Sequence, residues 1–161
     1  MYVVNAERQR ELLRRLTEVS SDRSSWRRSY TDPTSGQQWI LFYHRPEQHG
    51  GGRRVLRTDP PPPDLASWLR DCLLTGDSDD PIGVAWELSD EYERWPAILD
   101  WLEQNLGSIS TGYLRTFLRH LTVLEGTNRR PILGKHFTEI DDDHAHFSAL
   151  AHRANRLLGD A

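Results

Sequence analysis

The sequence predicts a mainly helical α+β fold, in which an N-terminal helix and a small antiparallel β-hairpin or sheet precede a bundle of about five helices. Three observations predict it. Leucines recur at helical spacing near the start, aromatic and β-branched residues flank a turn in the next segment, and helical apolar stripes follow the prolines at 60–63. The 161 residues have the length of one ordinary domain. We therefore expect a single domain over 1–161, with a helix and β-hairpin element at 1–59 and a helical bundle at 64–161.

The first predicted element is an amphipathic helix over residues 5–20. Asn5 is a favourable N-terminal cap, because its side chain can accept hydrogen bonds from the first free backbone N–H groups. The apolar face of this helix consists of Leu12, Leu13, Leu16 and Val19. We expect it to cover the β element that follows.

A β-hairpin is predicted next. Large and polar side chains alternate over residues 26–30, the segment 32–36 is rich in turn-forming residues, and residues 39–43 are aromatic and aliphatic. Val55 and Leu56 indicate a third short strand. The stiff prolines then end the β part of the chain.

Five helices are predicted after the prolines. Asp64 can cap the first, Asp80-Pro81 starts the second, and Trp95-Pro96 starts the third. Apolar residues within 114–121 indicate the fourth, and Thr138 can cap the last. Short loops between successive helices favour antiparallel packing of neighbours.

One segment of the chain, residues 71–103, is strongly acidic. Its only cation is Arg94, and its net charge is −9 although the whole chain has a net charge of only −4. The ten carboxylates are Asp71, Asp77, Asp79, Asp80, Glu87, Asp90, Glu91, Glu93, Asp100 and Glu103. Such a block is either a solvated surface or a field that steers association with a basic partner. Internal pairing with Arg129 or Arg130 would weaken the second interpretation.

Aromatic residues lie inside the acidic segment. Trp86 and Tyr92 belong either to the helical core or to the surface, where they would be anchors inside a charged rim. The candidate partner-binding residues are therefore Asp77, Asp79, Asp80, Trp86, Glu87, Asp90, Glu91, Tyr92 and Glu93.

Composition excludes several classes of protein. A nucleic-acid binder needs a basic face to displace counterions from phosphates, whereas this chain is mildly acidic. Cys72 is the single cysteine, so the chain cannot form an internal disulfide. Neither a signal peptide nor an apolar run long enough to cross a membrane is recognisable, so we expect a cytoplasmic protein without a membrane partner.

No catalytic motif is complete. The segment His49-Gly50-Gly51-Gly52 is similar to an oxyanion-hole loop, but the G-x-S-x-G motif of the corresponding hydrolases is missing. Residues 141–146 are dense in acids and histidines, yet three acids are also favourable in the first turn of a helix. We therefore expect no enzyme activity, metal or cofactor; the alternative is a metal-dependent or hydrolytic enzyme that uses His49, Asp142 and His146.

The hairpin resembles a module of immunity proteins from bacterial polymorphic and contact-dependent toxin systems. The resemblance covers about residues 26–56. It rests on Trp26, Tyr30, Asp32, Pro33, Gly36, Trp39, Tyr43, His49, Gly50, Gly51, Gly52 and Leu56.

The resemblance implies a small cytoplasmic protein that binds and neutralises a cognate toxin without catalysis. A toxin that attacks nucleic acids, such as a nuclease, has a basic cleft, and an acidic surface would be complementary to it. The remaining alternative is a protein-interaction adaptor that has no toxin partner.

Overall fold

A computed structural model describes residues 1–45 and 52–159. The chain divides into two compact units, Met1–Val84 and Ala85–Ala161, and the division falls inside a helix. The α+β class is confirmed. That the whole chain is one domain stays a prediction.

The first unit contains a five-stranded antiparallel sheet in the order β1-β5-β4-β3-β2. Its elements are β1 (Tyr2–Val3), α1 (Ala6–Leu13), β2 (Thr17–Asp22), β3 (Arg27–Thr31), β4 (Gln38–His44), β5 (Arg53–Asp59), α2 (Leu65–Leu73) and the start of α3 (Asp80–Leu88).

The predicted hairpin is formed by β3 and β4. Thr31 pairs with Gln38 and Arg28 pairs with Leu41 across the two strands. Gly36 closes the turn with a φ of +74°, a conformation in which a side chain would be strained. The predicted third strand is also present, because Val55 and Leu56 lie in β5.

The predicted N-terminal helix is too long. Asn5 caps it as expected, accepting hydrogen bonds from the N–H groups of Glu7 and Arg8, but α1 ends at Leu13. Residues 17–22 form the strand β2 instead, because their backbone pairs with β3 along the edge of the sheet. The partner β3 follows β2 directly across the turn at residues 23–26, but Leu16 and Val19 continue the helical spacing of the preceding leucines, which predicted a helix instead.

One hydrophobic cluster of the first unit lies between the sheet and α1. It consists of Val3, Leu16, Tyr30, Trp39, Leu41 and Leu56, and Leu12 and Leu13 of α1 pack against it. Tyr30 and Trp39 are opposite each other in the register of the hairpin. The covering role predicted for the helix is therefore confirmed for α1.

Tyr2 is the most enclosed aromatic residue of the first unit. Its side chain is fully buried, and its hydroxyl accepts a hydrogen bond of 3.0 Å from Nε1 of Trp68. Gly83 in α3 lies directly against the ring. The two-residue strand β1 was not predicted, because it is too short to have a recognisable alternation.

The second unit contains the remainder of α3, α4 (Trp95–Asn105), α5 (Thr111–Leu121) and α6 (Phe137–Gly159), with short 3-10 helices at Tyr92–Arg94, Leu106–Ser108 and Val123–Glu125. The five helices predicted after the prolines are thus confirmed as α2 to α6. α6 begins before Thr138, the predicted cap, because the carboxylate of Glu139 accepts the N–H of His136 one turn earlier.

Apolar helix faces form the core of the second unit. Its fully buried side chains include Trp95, Ile98, Leu99, Leu102, Leu114, Phe117, Leu118, Leu121 and Phe147. Among the described residues, no helix is long and apolar enough to cross a membrane.

We expect Gly83→Ala to destabilise the protein by about 1–3 kcal/mol, because a Cβ at this position would overlap the buried ring of Tyr2. Gly112→Ala in α5 is the matched control. Nothing lies within 4 Å of that Cβ position, so alanine should preserve stability or raise it by up to about 1 kcal/mol. Denaturant unfolding of both variants measures the difference, and equal stabilities would contradict the close packing.

Candidate functional site

The first part of the acidic segment lies in the first unit, where three of its carboxylates interact with residues near the N-terminus. Oδ2 of Asp79 accepts hydrogen bonds from the backbone N–H groups of Val4, at 3.0 Å, and Asn5, at 3.2 Å. The guanidinium of Arg8 lies 3.1 Å from the same oxygen. Only 7% of Asp79 is exposed, so its carboxylate is mostly occupied by groups of its own chain.

Asp80 is still more enclosed, with 1% of its surface exposed. It accepts hydrogen bonds from the N–H groups of Tyr2 and Asp77, the latter at 2.7 Å. Burial raises the pKa of this carboxyl group because the charged form loses its hydration. Asp80 therefore has a structural role at the start of α3.

Asp77 is half-buried and pairs with Arg8. The shortest distance between the guanidinium and the carboxylate is 2.5 Å. Burial alone would raise the pKa of Asp77, but the hydrogen bond from Arg8 and the N–H of Asp79 outweigh it, so the pKa is lowered. All three predicted acids of this segment thus interact with the N-terminal region.

The remaining predicted contact residues lie in the second unit. Asp90 and Glu93 are exposed, whereas the other four are half-buried. The two aromatic rings have edge-to-face neighbours: Trp86 lies 5.6 Å from His120 and Tyr92 lies 5.9 Å from Phe147, measured between ring centroids. We call Trp86, Glu87, Asp90, Glu91, Tyr92 and Glu93 the acidic face. Its role in binding stays a prediction.

Cations from other segments neutralise part of the acidic block. Arg130 lies 2.9 Å from carboxylate oxygens of both Glu93 and Asp143. Arg153 similarly reaches Asp100 and Glu103, at 2.6 and 2.9 Å. The surface of the second unit is therefore less negative than the sequence count indicates.

Asp143 connects two cations within the second unit. Nζ of Lys135 lies 2.5 Å from Oδ2 of Asp143, whereas Arg130 contacts Oδ1. Hydrogen bonds from Lys135 and then Arg130 lower the pKa of Asp143. In the same way, Arg130 lowers the pKa of Glu93.

Several residues of the hairpin motif maintain the fold. Tyr30 and Trp39 are buried in the core, and Asp32 accepts the N–H of Thr34 inside the turn. Gly52 has a φ of +71°, and a Cβ there would overlap the carbonyl oxygen of His44. The motif residues His49, Gly50 and Gly51 lie outside the described residues.

Trp26 and Tyr43 are the exceptions, because their rings line a surface cleft. Trp26 lies in the turn between β2 and β3 and not in a strand as predicted; 58% of it is exposed. Its φ of +55° is in the left-handed region, which costs a residue other than glycine roughly 1–3 kcal/mol. The rings meet edge to face at 5.9 Å between centroids.

Arginines surround this cleft, whose volume is about 340 Å³. Arg23, Arg27 and Arg28 line it together with the two rings. These arginines were not predicted as a group. The signal was present, since all three lie within three residues of Trp26.

The residues of the alternative enzyme site were not brought together. Asp142 is exposed, and His146 packs edge to face on Phe147 at 5.2 Å. His49 lies outside the described residues. Across residues 1–45 and 52–159, no three His, Cys, Asp or Glu side chains are grouped so that they could hold a metal ion.

We expect Asp79→Ala to lower the free energy of unfolding by about 1–3 kcal/mol, because the N–H groups of Val4 and Asn5 would lose their acceptor. Asp71→Ala, an exposed position on α2, is the control with the same loss of charge and should change stability little. Urea unfolding compares the two variants. A similar small effect for both would exclude the structural role of Asp79.

A second prediction concerns pH and Asp143. Its pKa in the folded protein is lowered from 3.8, the ordinary value of an aspartate, so the unfolded chain takes up a proton more readily. The ion pairs of Asp143 therefore stabilise the fold fully above that ordinary value, and their contribution is lost as the pH falls through the lowered pKa. As the pH is lowered from about 5 to about 3, the free energy of unfolding should consequently fall less in Asp143→Asn than in the wild type. The exposed neighbour variant Asp142→Asn is the control, and an unchanged acid dependence in Asp143→Asn would contradict the assignment.

A comparison with known protein families gives a match to part of the chain. Residues 4–58 match a family model described as Immunity protein 27. No curated protein and no solved structure matches the chain. The matched segment is about a third of the chain, and it extends from the residue after β1 through most of β5. The resemblance of the hairpin is thereby confirmed, and the sheet segment of this chain is similar to Immunity protein 27.

Proposed function

We propose that this protein is an immunity protein that binds a cognate bacterial toxin in the cytoplasm and neutralises it without catalysis. The match of residues 4–58 to Immunity protein 27 is the observation that carries the proposal. An immunity protein needs a stable scaffold and a surface complementary to the toxin. Buried motif residues such as Tyr30 and Trp39 support the first requirement, since they pack the sheet of the matched segment.

The acidic face is the contact surface that we propose from the charge pattern. Asp90 and Glu93 are exposed there, and Trp86 and Tyr92 of the same segment are half-buried. A carboxylate rim around partly exposed aromatic rings is a common arrangement in protein interfaces, because the aromatic anchors lose contact with water on binding. Asp79 and Asp80 have no part in this surface, because they are buried.

The proposed partner is a toxin with a basic surface, such as a nuclease whose cleft binds phosphates. Complementary charge accelerates diffusional encounter and depends on ionic strength. The pairing of Glu93 with Arg130 and of Glu91 with Arg94, at 2.8 Å, reduces the field but leaves these carboxylates at the surface. Nucleic acid and membranes are not proposed as partners.

The test is co-expression with the product of the adjacent upstream open reading frame, scored by growth and by co-purification. Rescue of growth together with a stable complex would support immunity by binding. A toxic neighbour that is neither bound nor neutralised would contradict the proposal and favour the adaptor interpretation.

Within such a complex, the triple variant Glu87→Gln, Asp90→Asn, Glu91→Gln should associate roughly tenfold more slowly at low salt, because the steering field is reduced. Its association rate should also depend less on salt concentration. Glu7→Gln, Glu11→Gln, Asp71→Asn is the matched control with the same change in charge at exposed positions of the first unit. Stopped-flow association kinetics distinguish the two, and equal rates would exclude steering by the acidic face.

A further inference from the structure

We propose that the cleft between Trp26 and Tyr43 binds an acidic segment of the partner protein, through carboxylates held by arginines and an apolar side chain held by the two rings. The identity of that partner as the toxin rests on the proposed function. The cleft itself is defined by its geometry and charge. It lies on the matched segment in the first unit, whereas the acidic face belongs to the second.

The position of Trp26 is the first observation. A tryptophan ring that remains 58% exposed contributes little to the fold, and the residue adopts a φ of +55° that glycine would adopt without strain. Asx-type hydrogen bonds form the rest of this turn: the Asp22 carboxylate accepts from the N–H and hydroxyl of Ser24, at 2.9 and 2.7 Å. Folding therefore does not require a tryptophan here, whereas an anchor for a partner does.

The shape of the cleft is the second observation. Tyr43 meets the Trp26 ring edge to face, so two aromatic surfaces meet at an angle and leave a hollow of about 340 Å³. A volume of this size accommodates one or two side chains of a partner segment. Tryptophan, tyrosine and arginine are also the residues in which interface binding energy is most often concentrated.

Charge is the third observation. Three arginines line the hollow. Among the residues that the structure describes, Asp22 contributes the only carboxylate to the lining, and it accepts hydrogen bonds from the hydroxyl groups of Ser24 and Ser25. These hydrogen bonds lower the pKa of Asp22 to about 2, so it remains charged and the cleft keeps a net positive lining. Within the described part of the chain, neither Arg23 nor Arg27 has an ion pair. Their guanidinium groups are available to a carboxylate, which they can bind in bidentate geometry.

These features favour an acidic protein segment over nucleic acid. A nucleic-acid strand requires a basic track along its backbone, whereas this cleft is small and Asp22 is part of its lining. In addition, the carboxylate of Glu18 lies 3.8 Å from Arg28. The chain also carries a net charge of −4, which opposes a polyanion. A protein segment with one or two carboxylates beside an apolar residue is more complementary to this lining than a nucleic acid is.

The experiment titrates the full-length protein with a capped hexapeptide of alternating glutamate and phenylalanine. The indole N–H resonance of Trp26, assigned by its loss in Trp26→Gly, reports binding. We expect a saturable shift that weakens as salt is added. Arg23→Glu, Arg27→Glu and Trp26→Gly should each reduce the affinity at least tenfold, whereas the exposed controls Arg115→Glu and Phe137→Ala should not. The Trp26→Gly variant should unfold at an unchanged or higher temperature, so its loss of binding is not a loss of fold.

Three results would overturn the inference. These are the absence of a saturable shift at millimolar peptide, equal binding of a peptide with lysine in place of glutamate, and displacement of the peptide by oligothymidylate at lower concentration.

Growth protection against the co-expressed toxin separates this inference from the proposed function. Protection by the wild type that is lost in Trp26→Gly supports the cleft, and equal protection by both contradicts it. A wild type that does not protect counts against the proposed function alone, because the peptide titration decides on the cleft.

Discussion

The first unit depends on two buried carboxylates that accept backbone hydrogen bonds from the N-terminal strand. β1 has only two residues and pairs with β5 on one side, so the N–H groups of Tyr2, Val4 and Asn5 need acceptors elsewhere. Asp79 and Asp80 provide them from a position more than seventy residues later in the chain. Unpaired buried N–H groups are costly, so these contacts fix β1, the fully buried Tyr2 and the start of α3 together.

This arrangement divides the acidic segment by function. Asp77, Asp79 and Asp80 maintain the fold, and cations paired with later carboxylates moderate the charge of the second unit. A count of charges along the sequence treats both groups alike. The structure distinguishes the two groups, because the structural carboxylates are buried and hydrogen-bonded to the protein in place of water.

Local signals in the sequence were sufficient for most of the fold. Asp64 caps α2 by accepting the N–H of Ser67 at 2.8 Å, Pro96 lies in the first turn of α4, and the turn at Gly36 closes the predicted hairpin. Each of these features depends on neighbours within a few residues. β2 was missed because Leu16 and Val19 continue the helical spacing of the preceding leucines, although its partner β3 is the next strand. β1 was missed because its partner β5 is distant in sequence. The burial of Asp80 was missed for the same reason, since consecutive aspartates ordinarily indicate solvated surface. The candidate contact residues were predicted from residue types alone. The cleft was missed although its arginines lie close to Trp26 in the sequence, because the contact between Trp26 and Tyr43 forms only in the folded chain.

Because Trp26 is exposed, the intrinsic tryptophan fluorescence of the protein reports on the cleft. Of the six tryptophans, all within the described residues, Trp39, Trp68 and Trp95 are buried, and Trp86 and Trp101 are half-buried. A water-soluble quencher such as iodide therefore quenches the emission of Trp26 before that of the less exposed tryptophans. The arginines around Trp26 also attract this anion. Occupation of this one cleft can thus be followed by intrinsic emission, without any label on the chain.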